Sequence, residues 1–154
     1  EHFQSCDLMA LSRQLCADYY PLVDRKRQSL EIIAEGECVV LGNPWALSIL
    51  VSNLIGNAIK YTPEGGHIRL NLEPQGQQVA WVLEDSGPGI PAELRERVLD
   101  RFYRVGGDRH NSDTLGCGLG LSIVQHIVNV HGGSMALGES SLGGLEVRLI
   151  LPRP

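Results

Sequence analysis

The sequence predicts an α+β fold, a two-layer sandwich in which helices cover one face of a mixed β-sheet. Segments with helical apolar periodicity alternate with short apolar runs that are separated by glycine-containing turns. The 154 residues match the length of one domain, and a hydrophobic content of 43 % is sufficient for a buried core. The chain contains no internal repeat, so a repeat architecture is excluded.

The N-terminal segment predicts a helix followed by a β-hairpin. Asp7 is a favourable N-cap residue, and Pro21 is a candidate interruption of the helix that follows. The apolar stripe of this helix consists of Leu8, Leu11, Leu15, Tyr19 and Leu22. Residues 29–33 and 38–41 predict two short strands, which we expect to pair as a hairpin through residues 35–37.

The middle of the chain predicts a second helix and a second hairpin. The helix begins with Asn43 as its cap and Pro44 in its first turn, and we expect it to end near Tyr61. Residues 67–73 and 79–84 predict the strands of the hairpin, with a glycine turn between them.

The C-terminal part of the chain predicts two further helices and two strands. Residues 91–102 predict a short charged helix, and residues 105–116 predict a mobile loop because they show no periodicity. Residues 118–131 predict an apolar-periodic helix, and residues 134–137 and 145–151 predict two strands.

Charge and cysteine content exclude several classes of function. A formal net charge of −5 argues against a nucleic-acid partner, which requires a basic surface. The four cysteines contain no C-x-x-C pair and no histidine at zinc-finger spacing, so we expect neither a disulfide nor a metal role and infer a reducing compartment. No apolar run of about 18 residues and no signal peptide is present, so we expect no insertion of this domain into a membrane.

A polar stripe on the second helix is a candidate metal and phosphate site. Asn53, Asn57 and Lys60 fall at i, i+4 and i+7, to one side of the apolar face. An amide oxygen is a hard ligand that suits Mg²⁺, and a lysine one turn further can meet a phosphate. The alternative is that these are solvated surface residues.

Two glycine-containing segments are candidate ligand sites. Asp85 follows an apolar strand, where its carboxylate either accepts a hydrogen bond from an exocyclic amine or caps a turn. Gly116, Gly118 and Gly120 open a helix, and the N–H groups at a helix N-terminus form an anion site. The alternative for these three glycines is a glycine-rich helix cap.

Four segments, taken in order, resemble the nucleotide-binding boxes of bacterial sensor histidine kinases of the GHKL superfamily. They are N-L-I-G-N-A-I-K-Y-T-P at 53–63, E-D-S-G-P-G-I at 84–90, R-F-Y-R at 101–104 and G-C-G-L-G-L at 116–121. The resemblance implies the Bergerat ATP-binding fold and an ATP site that uses Mg²⁺. It implies that Asn57 holds Mg²⁺, that Lys60 and Tyr61 contact the nucleotide, and that Asp85 reads the adenine 6-amino group.

The resemblance assigns the site residue by residue, with Asn57 and Lys60 as the catalytic pair. The implied ATP-binding residues are Asn53, Asn57, Lys60, Tyr61, Asp85, Gly87, Gly89, Ile90, Phe102, Arg104, Gly116, Cys117, Gly118, Leu119, Gly120 and Leu121. Gly87 and Gly89 are expected to let the backbone approach the purine. Arg104 or Arg109 is expected to reach a phosphate from a mobile lid. Cys117 departs from the small hydroxyl or aliphatic residue expected there, although its N–H can still serve.

The residues also indicate which reaction the chain supports. Gyrase-like members of the superfamily carry a glutamate base at the position of Asn53, and an amide has no useful basicity. This difference favours phosphotransfer over ATP hydrolysis. No histidine lies in a context like H-E-x-R-T-P, and we expect His126 and His131 to be helix-surface or cap residues.

The resemblance implies that residues 1–154 form one catalytic and ATP-binding domain, with the dimerisation, phosphoacceptor, sensor and membrane segments outside this chain. The implied partners are its own phosphoacceptor domain and a cognate response regulator, within a homodimeric protein. The domain would be cytoplasmic and its parent protein would lie in the bacterial inner membrane. The alternatives are a serine kinase of the anti-sigma-factor type and a non-catalytic nucleotide-sensing module.

Overall fold

A computed structural model describes residues 2–95 and 115–154 and confirms the α+β prediction. The elements in chain order are β1 (Gln4–Asp7), α1 (Leu8–Arg25), β2 (Ser29–Ala34), β3 (Val39–Gly42), α2 (Pro44–Tyr61), β4 (His67–Gln75), β5 (Gln78–Asp85), a 3₁₀ turn (Ala92–Leu94), α3 (Leu115–Val130), β6 (Ser134–Glu139) and β7 (Leu145–Pro152). Within these residues, no helix is long and apolar enough to cross a membrane.

The main sheet is mixed, as predicted, and its strand order is β2-β4-β5-β7-β6. Strands β2 and β4 run parallel, whereas the other neighbouring pairs run antiparallel. The predicted second hairpin is confirmed as β4–β5, which closes between Gln75 and Gln78 with Gly76 in a left-handed conformation, φ +64°. Strand β5 is therefore central, and the site described below lies at its C-terminal end.

The hydrophobic core lies between the sheet and the helices. Helix α2 packs between α1 and α3, and its fully buried face includes Leu47, Leu50 and Ile55. Trp81 of β5 is fully buried and donates its indole N–H to the Ser12 hydroxyl of α1 at 2.9 Å. This bond satisfies two buried polar groups and joins the helical layer to the centre of the sheet.

The predicted first hairpin is wrong. Strand β2 instead pairs in parallel with β4, and β3 pairs antiparallel with β1, a strand that was not predicted. Each of these two strands pairs with a segment that is distant in the sequence. The residues between β2 and β3 do not indicate this distant pairing. Pro21 does not interrupt α1, because the ring and the carbonyl of Ala17 that it cannot bond both lie on the exposed side.

Both ends of α2 are fixed by residues outside the helix. At its start, the Asn43 side chain accepts the N–H groups of Trp45 and Ala46 at 2.9 and 3.1 Å, as predicted for a cap. At its end, the buried Gln28 amide donates to the carbonyls of Ile59 and Thr62 at 3.1 and 2.7 Å. Lys26 donates to the same Ile59 carbonyl at 2.7 Å. These bonds pair carbonyls that a helix C-terminus leaves open.

Gln28→Ala should lower the free energy of unfolding by about 1–3 kcal/mol, because it removes a buried donor from two helix-end carbonyls. Gln14→Ala is the matched control, since Gln14 is exposed and bonds only Asp18 on the same helix. Urea denaturation of both variants measures the difference. Equal midpoints for the two variants would show that the Gln28 amide contributes nothing to the end of α2.

Candidate functional site

The polar stripe of α2 lines a groove between α1 and α2. Asn53, Asn57 and Lys60 share this groove, whose volume is about 770 Å³, with Tyr19 and Lys26. The Asn53 amide donates back to the Ile49 carbonyl at 3.1 Å, so its oxygen remains the group that can meet a ligand. The predicted stripe is thus one surface, and every residue of it reaches the same groove.

An apolar cavity of about 160 Å³ lies on the other side of Asn57. The described residues that line it are mostly apolar and come from α2, β5, the loop after β5, α3 and β7: Leu54, Asn57, Ala58, Tyr61, Leu83, Asp85, Pro88, Gly89, Ile90, Leu121, Leu145 and Val147. Asn57 belongs to both linings. The apolar cavity and the polar groove are therefore adjacent at Asn57.

Asp85 supplies the carboxylate of the apolar cavity. It ends β5, is only 8 % exposed, and accepts two backbone N–H groups on Oδ1, from Gly87 at 2.9 Å and from Leu145 at 3.1 Å. Among the described residues no hydrogen bond reaches Oδ2. Burial raises the pKa of Asp85, and the two N–H groups only partly oppose that rise. The carboxylate therefore presents one satisfied oxygen and one acceptor to a ligand.

The glycines of the first box have an intramolecular reason to be glycine. A Cβ at Gly87 would lie 2.9 Å from the Tyr61 carbonyl oxygen, and Gly89, with φ +73°, packs on the backbone of Gly144. A Cβ at Gly144 would lie only 2.6 Å from both the Asp85 carbonyl oxygen and the Gly87 nitrogen, so no side chain fits at this position. The predicted approach of backbone to a purine stays a prediction.

The second glycine box opens α3, as predicted. The backbone of α3 is helical from Leu115, so the predicted start at residue 118 is wrong and Gly116, Cys117, Gly118, Leu119 and Gly120 all belong to its first turns. The first four N–H groups of a helix have no intrahelical acceptor, and here they belong to residues 115–118. Leu121 is buried and lines the apolar cavity. Phe102, Arg104 and Arg109 lie outside the described residues.

Lys60 and Tyr61 lie at the C-terminal end of α2. The Lys60 ammonium lies 5.5 Å from the centroid of the Tyr61 ring, and its side chain is exposed to solvent. Tyr61 lines the cavity and Lys60 lines the groove, so neighbouring residues serve the two halves of the site.

His131 was expected to be a helix-surface or cap residue, and it is buried in the position of a cap at the end of α3. It is 4 % exposed, and its Nε2 accepts the N–H of Asn43 at 3.1 Å, so Nδ1 carries the proton that is donated to the Ile127 carbonyl at 2.8 Å. The ring also stacks on Phe3 at 4.7 Å between centroids. His131 thus joins the end of α3 to the start of α2 and has no nitrogen left to accept a phosphoryl group.

Several residues of the site carry no signal in the sequence. Leu145 and Val147 line the cavity from β7, which is remote in the chain from the other boxes. The neighbouring pair Gly143-Gly144 predicts only an ordinary turn and does not indicate a ligand site. Only the register between β5 and β7 brings Leu145 to Asp85.

Mg²⁺ fits the donor set of the groove. Mg²⁺ keeps several waters and takes few protein oxygens when a phosphate is present, so the single amide oxygen of Asn57 suffices. No group of three or more His, Cys, Asp or Glu in the described part of the chain is arranged for a dedicated metal site. Cys6, Cys16 and Cys38 are free and buried, and burial raises the pKa of Cys16 to about 11, which disfavours a thiolate ligand.

Comparison with known proteins gives the family. Residues 42–154 match the model of the histidine kinase-, DNA gyrase B- and HSP90-like ATPases, so the chain belongs to that family. The sensor protein kinase PmrB of Pseudomonas aeruginosa is 35 % identical over 154 residues, which are 99 % of this chain and 31 % of PmrB. The chain therefore spans about a third of the length of this curated relative.

Solved structures agree with the family in fold. The catalytic domain of histidine kinase ThkA superposes with a TM-score of 0.87 at 25 % identity, covering 99 % of each chain. The ATP binding domain of PrrB from Mycobacterium tuberculosis superposes with a TM-score of 0.80 at 26 % identity, covering all of this chain and 99 % of the other. The chain thus has the fold of a histidine kinase catalytic domain.

Asp85→Asn should separate ligand binding from stability. The amide oxygen still accepts from Gly87 and Leu145, but an N–H₂ group replaces the second acceptor, so affinity for ADP should fall about 10- to 100-fold. The free energy of unfolding at neutral pH should stay equal or rise, because the fold disfavours the ionised carboxylate. Calorimetric titration with ADP, ATP and GTP and thermal unfolding measure both effects. Unchanged ADP affinity, or equal affinity of the original chain for GTP, would show that Asp85 does not read the base.

Proposed function

We propose that this chain is the catalytic and ATP-binding domain of a sensor histidine kinase. It binds Mg-ATP and donates the γ-phosphoryl group to a histidine on a separate domain of the same protein. The observation that carries the proposal is the meeting, at Asn57, of an apolar cavity that contains one buried carboxylate and a polar groove that contains an amide and a lysine. The sensor-kinase relatives and the solved ATP binding domain of PrrB support it.

The cavity is suited to adenine. Its apolar lining takes a purine ring, and Oδ2 of Asp85 accepts a hydrogen from the 6-amino group. Guanine places an oxygen at that position, which would face the carboxylate with no hydrogen between them. ATP and ADP share the adenine, so the two should bind with broadly similar affinity.

The polar residues are suited to a phosphate chain. Asn57 offers its amide oxygen to Mg²⁺, Lys60 offers a positive charge, and the N–H groups at the start of α3 offer an anion site. When bound, Mg²⁺ neutralises charge on the phosphate oxygens. The protein groups hold the phosphates in place without forming covalent bonds to them.

The groove is poorly suited to hydrolysis. Asn53, where related ATPases place a basic glutamate, is an amide that already donates to Ile49. Among the described histidines, His131 has both nitrogens engaged.

The proposal has further parts: a phosphoacceptor domain, a response regulator, a homodimeric parent protein and an inner-membrane location. The sensor-kinase relatives favour it over a serine kinase or a non-catalytic sensor.

Asn57→Ala should reduce transfer of phosphate from ATP to a separately supplied phosphoacceptor domain roughly 100-fold, because it removes the proposed protein ligand of Mg²⁺. Asn129→Ala is the matched control, since Asn129 is exposed on α3 and bonds only Gln125. Transfer is followed with γ-labelled ATP, and folding is checked by circular dichroism. Transfer by a folded Asn57 variant at the original rate would remove the metal assignment.

The chain alone should bind ATP but neither hydrolyse it quickly nor label itself. The described lining of the groove contains no carboxylate or histidine that could act as a general base, and no histidine of the sequence lies in a context like H-E-x-R-T-P. Incubation with γ-labelled ATP, with and without an added phosphoacceptor domain, measures all three events. Label should appear only on the added domain. Rapid phosphate release, or stable label on His126 or His131, would contradict the proposed division of labour.

A further inference from the structure

Glu84 is a buried carboxylate that the proposed mechanism does not use. It precedes Asp85 on β5 and is 9 % exposed. Its Oε1 accepts three hydrogen bonds from the segment after β6: the Ser140 hydroxyl at 3.0 Å, the Ser141 N–H at 3.0 Å and the Ser141 hydroxyl at 2.9 Å. Burial raises the pKa of Glu84, but these bonds and the charge of Arg69 outweigh it, so the pKa lies below its usual value. The carboxylate is therefore ionised at neutral pH and is bound to the turn through Oε1.

The segment that Glu84 binds is a self-contained turn, residues 140–144, between β6 and β7. The Ser140 N–H donates to the Gly144 carbonyl at 2.8 Å, and the Leu142 N–H donates to the Ser140 hydroxyl at 2.8 Å. The Gly143 N–H closes the turn on the Ser140 carbonyl at 3.0 Å. Because these bonds make the turn compact, a restraint at Ser140 and Ser141 is transmitted to Gly144.

The far end of the same turn binds Asp85. The Gly144 N–H donates to the Asp85 carbonyl at 3.0 Å, and the next residue, Leu145, donates to Oδ1 at 3.1 Å. Successive strand residues point to opposite faces, so Glu84 cannot share the cavity that Asp85 lines. The turn thus contacts the end of β5 on both faces. Ser140 and Ser141 donate to Glu84 on one face, and Leu145 donates to Asp85 on the other.

We propose that Glu84 is a positioning residue for base recognition, acting through the 140–144 turn to orient the Asp85 carboxylate. The inference rests on the proposed function, because it assumes that Asp85 reads an amine. Leu145 occupies Oδ1 only while the turn is held, and an Oδ1 so occupied leaves Oδ2 as the acceptor in the cavity. Releasing the turn lets the carboxylate rotate and lets water reach it, so the preference for a 6-amino group weakens.

The test measures discrimination between two ligands, a quantity that general loss of stability does not change. The 154-residue chain is titrated with ADP and with inosine diphosphate, which carries an oxygen in place of the 6-amino group. Glu84→Ala should weaken ADP binding about tenfold and leave inosine diphosphate binding nearly unchanged. Glu84→Gln, which keeps an acceptor oxygen for the serines, should recover most of the ADP affinity. Glu73→Ala, an exposed glutamate on β4, should behave as the original chain.

A variant of the turn makes the test independent of the folding of Glu84→Ala. The double substitution S140A/S141A removes two donors to Glu84, and it should lower ADP affinity by a similar factor. Combining it with Glu84→Gln should add little, because both changes act on one contact. Full discrimination in folded S140A/S141A, or an equal loss of affinity for both ligands, would overturn the inference. Failure of the original chain to bind ADP, or of Asp85→Asn to weaken binding, would instead overturn the proposed function.

Discussion

Oδ1 of Asp85 is the atom on which the candidate site depends, because it accepts the N–H groups of Gly87 and Leu145 and so joins β5 to the loop after it and to β7. The position of this Oδ1 atom also explains why Gly144 has no space for a side chain, because a Cβ there would collide with it. A carboxylate that is bound on one oxygen by the backbone is held in one orientation before any ligand arrives. Preorganisation of this kind reduces the free energy that binding must spend on ordering the site.

Burial raises the pKa of both Asp85 and its neighbour Glu84, but the net pKa shifts of the two carboxyl groups are opposite. The pKa of Asp85 is raised, so its contribution to stability is largest at low pH and is lost as the pH rises through its folded pKa. The pKa of Glu84 is lowered, so its contribution is present above the unfolded pKa and is lost as the pH falls through the folded pKa. At neutral pH the fold therefore gains from Glu84 and loses from Asp85. A residue that costs stability at a ligand cavity is expected when its charge serves binding.

Local patterns in the sequence predicted what depends on local physics. The capped helix α2 with its polar stripe, the β4–β5 hairpin and the carboxylate at the end of β5 all follow from neighbouring residues. What failed or was missed depends on pairing across the chain. Strand β3 pairs with β1, which lies far from it in the sequence. Leu145 reaches Asp85 only because β7 pairs with β5 in a particular register. His131 was expected to be a helix-surface or cap residue, but a histidine at a helix end gives no sign of the distant N–H of Asn43 that it accepts.

The division of the site into an apolar cavity and a polar groove also limits what the chain can do alone. Contacts with adenine are the same for ATP, for the transition state and for ADP, so they provide affinity without lowering the barrier. In the proposed function, acceleration would come from groups that act on the phosphates, for which we propose Asn57, Lys60 and the start of α3, and from the placement of the acceptor. The described residues include this first set, whereas the described His131 has both ring nitrogens engaged. Under the proposed function, the chain binds the nucleotide, and the domain that supplies the histidine determines when transfer occurs.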